Sequence, residues 1–374
     1  MHSSGQMPVW KQILFTGLAL CLVWAGLELI VLFYAFVRND SPKTELMYTA
    51  HPYRSFALRP NYVSPRKECS VNSFGVRGPE ISEKSTDTIR IVCLGGSTTF
   101  SPLTTTDTHT YPAYMQGVLR DHYGTGPFDI EVVNAGVSAA TSIESLIFFQ
   151  THLLNLSPDI AIFHQALNDA YISTKYPGFQ SDYSHERMPL TREKPALWEW
   201  SPALSFLYAR GKIGNPYFPG YKGDLLPLIY MHRELLRNPK LKRKGPVEPE
   251  MIAAFERNVM SFIAIARGNG VEPVLSTEVF FDDRPVSDTV FEAVMVYNER
   301  LREIGRREHV DLIDFDREMD WDEWHFGDMC HLLDVPGGLD RKGGIFARSL
   351  IDCGTVERVW QKRAGDADQA PPRE

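Results

Sequence analysis

Cysteine is scarce in this 374-residue chain, and the five present (Cys21, Cys69, Cys93, Cys330, Cys353) show neither a Cys-x-x-Cys pair nor a Cys/His ligand spacing. That excludes a disulfide framework or a zinc site as the basis of the fold. Because Cys21 falls in an apolar run, at most four thiols belong to the folded domain, which permits an oxidising compartment without requiring one. A basic excess is lacking too: Lys+Arg of 39 against Asp+Glu of 47 leave a net charge of -8. A nucleic-acid partner is thereby excluded, since neutralising phosphates takes a concentrated basic face. There are no internal repeats. With 43% hydrophobic and 23% charged residues, the composition is that of a globular protein with a real core.

Long apolar runs are absent but for one, Ile13 to Val37, broken only by Thr16 and Glu28. It matches the roughly 20 residues a helix needs to cross a bilayer core. A cleaved signal peptide would have a shorter apolar stretch ending in a small-x-small site, whereas this run ends in Phe33-Tyr34-Ala35-Phe36-Val37-Arg38. Trp10, Phe33, Tyr34 and Phe36 suit the two membrane–water interfaces. A single uncleaved transmembrane helix over residues 12–37 is therefore predicted, after an N-terminal tail of residues 1–11. Lys11 lies on one side and Arg38 and Lys43 on the other, so basic residues do not assign an orientation. Glu28 is costly if ionised and facing lipid. Either it meets a partner in the membrane or it is tolerated as a protonated or snorkelling carboxyl.

Residues 38–88 read as a membrane-proximal stalk and lead-in, polar and rich in Pro and Tyr. A regular alternation follows. Strands are predicted at 89–94, 130–133, 160–163, 273–275 and 310–313, and helices at 111–123, 142–156, 251–267 and 290–307. Five short strands separated by helices predict a doubly wound parallel sheet, in which function collects at the carboxyl ends of the strands. The domain is placed at 89–355, with an irregular insertion at about 171–250. Within the insertion, Arg233, Arg237, Lys240, Lys242, Arg243 and Lys244 form a basic run, which is either a contact for anionic lipid or acidic polymer or a solvated face. Residues 356–374 are polar and predicted to be a disordered tail.

Three motifs fall where such a sheet places its site. Leu94-Gly95-Gly96-Ser97-Thr98-Thr99 follows the first strand, and its small residues allow a sharp turn that projects the Ser97 hydroxyl. A serine becomes a nucleophile only with a neighbouring base, and without one Ser97 would merely cap the next helix. Asn134-Ala135-Gly136 follows the second strand and Asn168-Asp169 the third. A backbone N–H at Gly136 and a side-chain amide at Asn168 are the kind of donors an oxyanion hole needs, although Asn and Gly also end strands in ordinary turns. Asp328-Met329-Cys330-His331 follows the last strand and its loop, offering an imidazole base beside an orienting carboxylate. Each motif alone is weak; three in this order, each after a different strand, point to acyl-transfer chemistry.

In order and residue type the set resembles the SGNH hydrolases, also called the GDSL esterase/lipase superfamily, whose blocks supply Ser, Gly, Asn and a His preceded by Asp. The matching positions are Ser97, Gly136, Asn168 and Asp328-x-x-His331, and the resemblance spans roughly Asn72 to Asp352 outside the insertion. Asn72-Ser73-Phe74-Gly75-Val76-Arg77-Gly78 is similar to the lead-in of bacterial membrane-anchored members. The resemblance implies a flavodoxin-like three-layer α/β/α sandwich and a catalytic domain outside the cytoplasm, with no metal or organic cofactor. It implies Ser97 as nucleophile and backbone donor, Gly136 and Asn168 completing the oxyanion hole, His331 as base then acid, and Asp328 orienting His331.

Two departures stand out: Gly96 replaces the Asp usual before the serine, and Ala166 replaces the Gly usual two residues before the asparagine, adding a methyl near the oxyanion site. Asp320, Asp322, Glu323 and His325 match no block; His164 reads as structural, and Asp169 as a residue that positions Asn168. The expected reaction is hydrolysis of a carboxylic ester, with an O-acetyl group on an envelope saccharide or a lipid acyl ester as substrate. Acyl transfer to a sugar hydroxyl with the same residues and a non-catalytic envelope-assembly role are the alternatives.

Overall fold

The computed structural model describes residues 7–38, 47–49, 51–64, 68–124, 126–175, 178–184, 201–209, 246–280, 288–319 and 325–368. They fall into two units, one formed by residues 1–46 and 191–225, the other by 47–190 and 226–374.

In the first unit, helix α1 (Val9–Arg38) is long and apolar enough to cross a membrane, and its large apolar side chains are exposed along its length. Glu28, the acidic residue in this helix, is met by the same chain. One of its carboxylate oxygens accepts the hydroxyl of Ser201, and the other accepts the backbone N–H of Ala203 at 2.9 Å. Ser201 Oγ in turn accepts the N–H of Leu204 at 3.1 Å. The two side chains together cap a short apolar helix, Pro202–Ala209, whose first N–H groups have no acceptor within the helix.

In the second unit the elements run in chain order as β1 (Tyr48–Thr49), β2 (Ala57–Leu58), β3 (Thr88–Gly95), α2 (Ser97–Phe100), α3 (Tyr111–Tyr123), β4 (Asp129–Gly136), α4 (Ser142–Thr151), β5 (Ile160–His164) and α5 (Leu167–Lys175). With Pro202–Ala209 counted as α6, there follow α7 (Pro249–Gly268), β6 (Glu272–Ser276), α8 (Asp288–Glu308), β7 (Asp311–Ile313), α9 (Phe315–Glu318), α10 (Leu339–Asp352) and α11 (Thr355–Asp368). Strands β3 to β7 form one parallel sheet in the order β4-β3-β5-β6-β7. Counted within that sheet the order is 2-1-3-4-5, the flavodoxin-like arrangement, so the chain is an α/β protein with the five-stranded sheet expected.

Alternation along β3 divides the core. Ile89, Ile91 and Cys93 point into a layer with Tyr111 and Met115 of α3 and Phe346 of α10. On the other face Phe163 stacks on Phe262 of α7, which also meets Phe149 of α4. Helices on both faces bury the central strands β3, β5 and β6, which is why those strands read as near-continuous apolar runs rather than alternating ones.

Two boundaries differ from expectation. Among the described residues of the 38–88 stretch expected as stalk and lead-in, Phe56, Leu58, Val71, Val76 and Arg77 are buried, and β1 pairs with β2. Residues 355–368 are helical rather than part of a disordered tail. Val356 is fully buried there, Val359 and Trp360 pack on the core, and Arg363 donates to the carbonyls of Thr86 and Thr88 at 2.7 and 2.8 Å. The basic run at 233–244 lies outside the described residues.

Candidate active site

β3 ends in Gly95 and turns through Gly96 into α2, whose first residue is Ser97. Both glycines are dictated by close approach. A Cβ on Gly95 would stand 2.0 Å from Thr99 Oγ1, and one on Gly96 would stand 2.4 Å from the Asn168 amide nitrogen. That amide is pinned, donating to the carbonyl of Ala140 at 2.7 Å, so any side chain at position 96 would displace it.

Ser97 Oγ lies 2.7 Å from His331 Nε2, and His331 Nδ1 lies 2.7 Å from Asp328 Oδ2. The other Asp328 oxygen accepts the backbone N–H groups of Cys330 and His331, both at 2.9 Å. An ionised carboxylate only accepts, so Nδ1 carries the ring proton and Nε2 is left to accept the serine hydroxyl. Burial pushes the Asp328 carboxyl up. The His331 hydrogen bond and charge, with the two backbone N–H groups, outweigh that push and hold it below the usual carboxylate range.

Among the described residues, Asp328, Cys330 and His331 are the group close enough to share a metal ion, their ligand atoms lying within 4.8 Å of one another. A cation there would take the atoms that orient the imidazole. Burial, then the Asp328 charge, push the Cys330 thiol well above its ordinary pKa, which leaves it a protonated and poor ligand.

The structure separates the two expected oxyanion donors. Asn168, in the first turn of α5, stands beside Gly96. Gly136 does not offer its N–H: the Asn134 side-chain oxygen accepts it at 3.1 Å. A Cβ on Gly136 would meet Phe100 N at 2.2 Å, so this glycine is there to let the end of β4 lie against α2. The turn after it behaves differently. Ala139 is held at φ +67, a left-handed conformation that costs an alanine roughly 1–2 kcal/mol. No acceptor for its N–H occurs among the described residues. The next residue, Ala140, accepts the Asn168 amide, so this strained non-glycine residue stands one position from a partner of the site, a signal that residue types alone do not carry.

Asp169, fully buried, holds the start of α4 by accepting the Ser142 N–H at 2.9 Å and its hydroxyl at 2.5 Å. Burial raises its carboxyl to about 6 against the bonds from Ser142 and Tyr183, which lower it. It therefore fixes the turn that carries Ala139 and Ala140 as well as its neighbour Asn168. His164 is buried in the core, as expected of a structural residue. His325 is also buried, and Asp320, Asp322 and Glu323 lie outside the described residues. A cavity of about 330 Å³, counted to its open mouth, is lined by Ser97, Thr98, His164, His331 and Lys342 among others; Asn168 and residues 137–140 are not in its walls.

Arg77 is a site-building residue that its position in the lead-in concealed. Its guanidinium donates to the carbonyls of Phe100 and Ser101, both at 2.7 Å, to Thr104 Oγ1 at 2.7 Å and to Asp107 at 2.8 Å. It thus closes the C-terminal end of the helix that begins with Ser97. Arg77→Met is expected to destabilise the fold by about 3–5 kcal/mol, because it removes the counter-charge of Asp107 and the guanidinium donor to the Phe100 carbonyl. Urea unfolding of the two proteins measures this.

The profile of the GDSL-like Lipase/Acylhydrolase family matches residues 93–334, which include Ser97, Asn168, Asp328 and His331. No curated protein matches the chain. Similar solved structures include a GDSL-like lipase from Bacteroides thetaiotaomicron, 13% identical over 73% of this chain and 93% of that one, with a TM-score of 0.40. An acetylxylan esterase from Geobacillus stearothermophilus is 12% identical over 72% of this chain and 95% of that one, with a TM-score of 0.42. An alpha/beta hydrolase from the metagenome of Lake Arreo is 13% identical over 71% and 94%, also with a TM-score of 0.42. The family match extends over well more than half of the residues, and the chain belongs to the GDSL-like lipase/acylhydrolase family of ester-bond hydrolases.

Proposed function

We propose that this chain is a single-pass membrane protein whose extracytoplasmic domain hydrolyses a carboxylic ester through an acyl-enzyme on Ser97. The observation that carries the reading is the unbroken hydrogen-bond chain Ser97–His331–Asp328 beside the Asn168 amide. His331 Nε2 takes the hydroxyl proton as Ser97 Oγ bonds to the ester carbon. The charge that forms on the carbonyl oxygen is met by the free N–H of the Asn168 amide, the Ser97 backbone N–H at the start of α2, and the Ala139 N–H in place of Gly136. Collapse breaks the C–O bond, and the leaving alcohol takes the proton from His331. Water, deprotonated by the same imidazole, then releases the acid and restores Ser97. Asp328 stays ionised throughout and stabilises the imidazolium.

An apolar helix exposed along its length supports an envelope substrate, either an O-acetylated saccharide or a lipid acyl ester. Detergent-purified full-length protein incubated with an aryl acetate, with and without a glycan acceptor, tests the reaction. Free acetate as the main product in both arms is expected; transfer product exceeding free acetate would replace hydrolysis by acyl transfer. Acetylated oligosaccharide against phospholipid vesicles then separates the two substrate classes.

A further inference from the structure

Glu278 lies two residues past the end of β6 and takes no part in the hydrogen-bond chain from Ser97 to Asp328. It is 2% exposed, and three donors converge on it. One oxygen accepts the backbone N–H groups of Ala166 and Leu167, at 2.7 and 2.6 Å, and the other accepts the hydroxyl of Thr98. Thr98 immediately follows the nucleophile, and Ala166 and Leu167 immediately precede Asn168. A single carboxylate therefore spans the helix that carries the serine and the helix that carries the amide. Its own backbone is fixed by Asn298, which accepts the Glu278 N–H at 3.0 Å and donates to its carbonyl at 2.7 Å.

A buried carboxylate is expensive unless its oxygens are satisfied and its charge is countered. Here the N–H groups come from the positive end of α5, and the cation that faces it is Lys342, 2% exposed on α10, where burial lowers the ammonium pKa to about 7 and the attraction of Glu278 opposes it. Lys342 Nζ donates to the Thr98 carbonyl at 3.0 Å and to His164 Nε2 at 2.9 Å. His164 Nε2 is in turn 3.7 Å from Glu278, while its Nδ1 lies 3.1 Å from Ser276 Oγ. Thr98 is thus gripped at both its hydroxyl and its carbonyl.

We propose that Glu278 is a positioning residue for the ester reaction, setting the separation of Ser97 Oγ from the Asn168 amide by tying both helices to one carboxylate. The inference rests on the esterase reading above. An amide in its place would keep its oxygen on the two backbone N–H groups and turn its NH₂ toward Thr98 Oγ1, which would then have to accept instead of donate, and the charge that faces Lys342 would be lost. A misplacement of about 1 Å at a reacting group costs about 10²-fold in rate.

The test compares wild type, Ser97→Ala, Thr98→Val, Glu278→Gln and the double variant Glu278→Gln/Lys342→Met in aryl acetate turnover and thermal melting. Glu278→Gln is expected to lower kcat by about 10²-fold with KM within about twofold, and Thr98→Val to lower kcat by about tenfold. The double variant removes both buried charges, so it is expected to regain melting temperature but not kcat. Folded Glu278→Gln with kcat close to wild type, or a double variant that regains the full rate, overturns the positioning role. If Glu278→Gln does not fold, Thr98→Val decides: reduced kcat at unchanged KM supports the role, and unchanged kcat overturns it. A wild-type rate insensitive to Ser97→Ala overturns the esterase reading and this role with it, whereas a rate lost in Ser97→Ala but kept in Glu278→Gln overturns the positioning role alone.

Discussion

Ser97→Ala is expected to lower kcat for an aryl acetate by about 10⁴–10⁶-fold while leaving the melting temperature within about 4 °C of wild type. The first number follows from what the hydroxyl does. In the proposed reaction it is the oxygen that receives the acyl group, and among the described residues no other hydroxyl is bonded to His331 Nε2. What survives the change is the rate supplied by substrate binding and by the oxyanion donors, which do not need the nucleophile. The second number follows from what the hydroxyl does not do. Its described contact is a half-buried bond to an imidazole already oriented by Asp328, so losing it leaves no stranded charge. Circular dichroism melting beside turnover measurement checks both; a folded Ser97→Ala with wild-type kcat would dismiss Ser97 as nucleophile.

Asp328→Asn is expected to lower kcat by about 10⁴-fold with the fold intact, and the reason is geometric. One oxygen of Asp328 takes two backbone N–H groups, from Cys330 and His331, while the other faces His331 Nδ1. An amide has a single oxygen. Kept on the two backbone donors, it turns its NH₂ toward Nδ1, forcing the ring proton onto Nε2, where the Ser97 proton has to go. The opposite flip drives the NH₂ into two N–H groups. Against the push of burial, the His331 hydrogen bond and charge hold the Asp328 carboxyl below the usual range, so Asp328 stays ionised at a pH where an ordinary carboxylate has taken up its proton. The sign follows: the carboxylate is lost only as pH falls through that lowered value, so Asp328 itself causes no fall in activity across the ordinary carboxylate range. A log kcat/KM profile with no step there that Asp328→Asn removes is the expected result, and such a step would show the carboxylate titrating like an ordinary one.

The sheet was legible because its strands are short β-branched or apolar runs, and five such runs separated by helical patterns leave few topologies. Ser97, Asn168, Asp328 and His331 were legible because each follows a strand. Helix α10 was not among the predicted helices, and Gly343 and Gly344, weak helix formers, lie at its centre. A Cβ at Gly343 would stand 2.5 Å from that of Tyr114, so the glycine is the condition for packing this helix tightly on α3 rather than a break in it. Helix α11 hid its apolar stripe (Val356, Val359, Trp360) among charged residues. Gly136 was assigned a donor role from its residue type, but the Asn134 side chain two residues earlier takes the N–H, a local bond that spacing does not reveal. Glu278 and Arg77 act across 180 and 23 residues of chain respectively, on Thr98 and Phe100, and no local pattern announces such partners.

The cap on Pro202–Ala209 has a practical consequence for anyone wishing to study the hydrolase without detergent. Trimming the protein back to residue 47 removes Glu28 and the apolar surface of α1, yet it leaves an apolar helix whose Ala203 N–H has lost its acceptor. Such a truncation inherits a sticky segment from the part discarded. A soluble version calls for two cuts, one before residue 47 and one that replaces residues 191–225 with a short linker, so that the two members of the helix pair leave together.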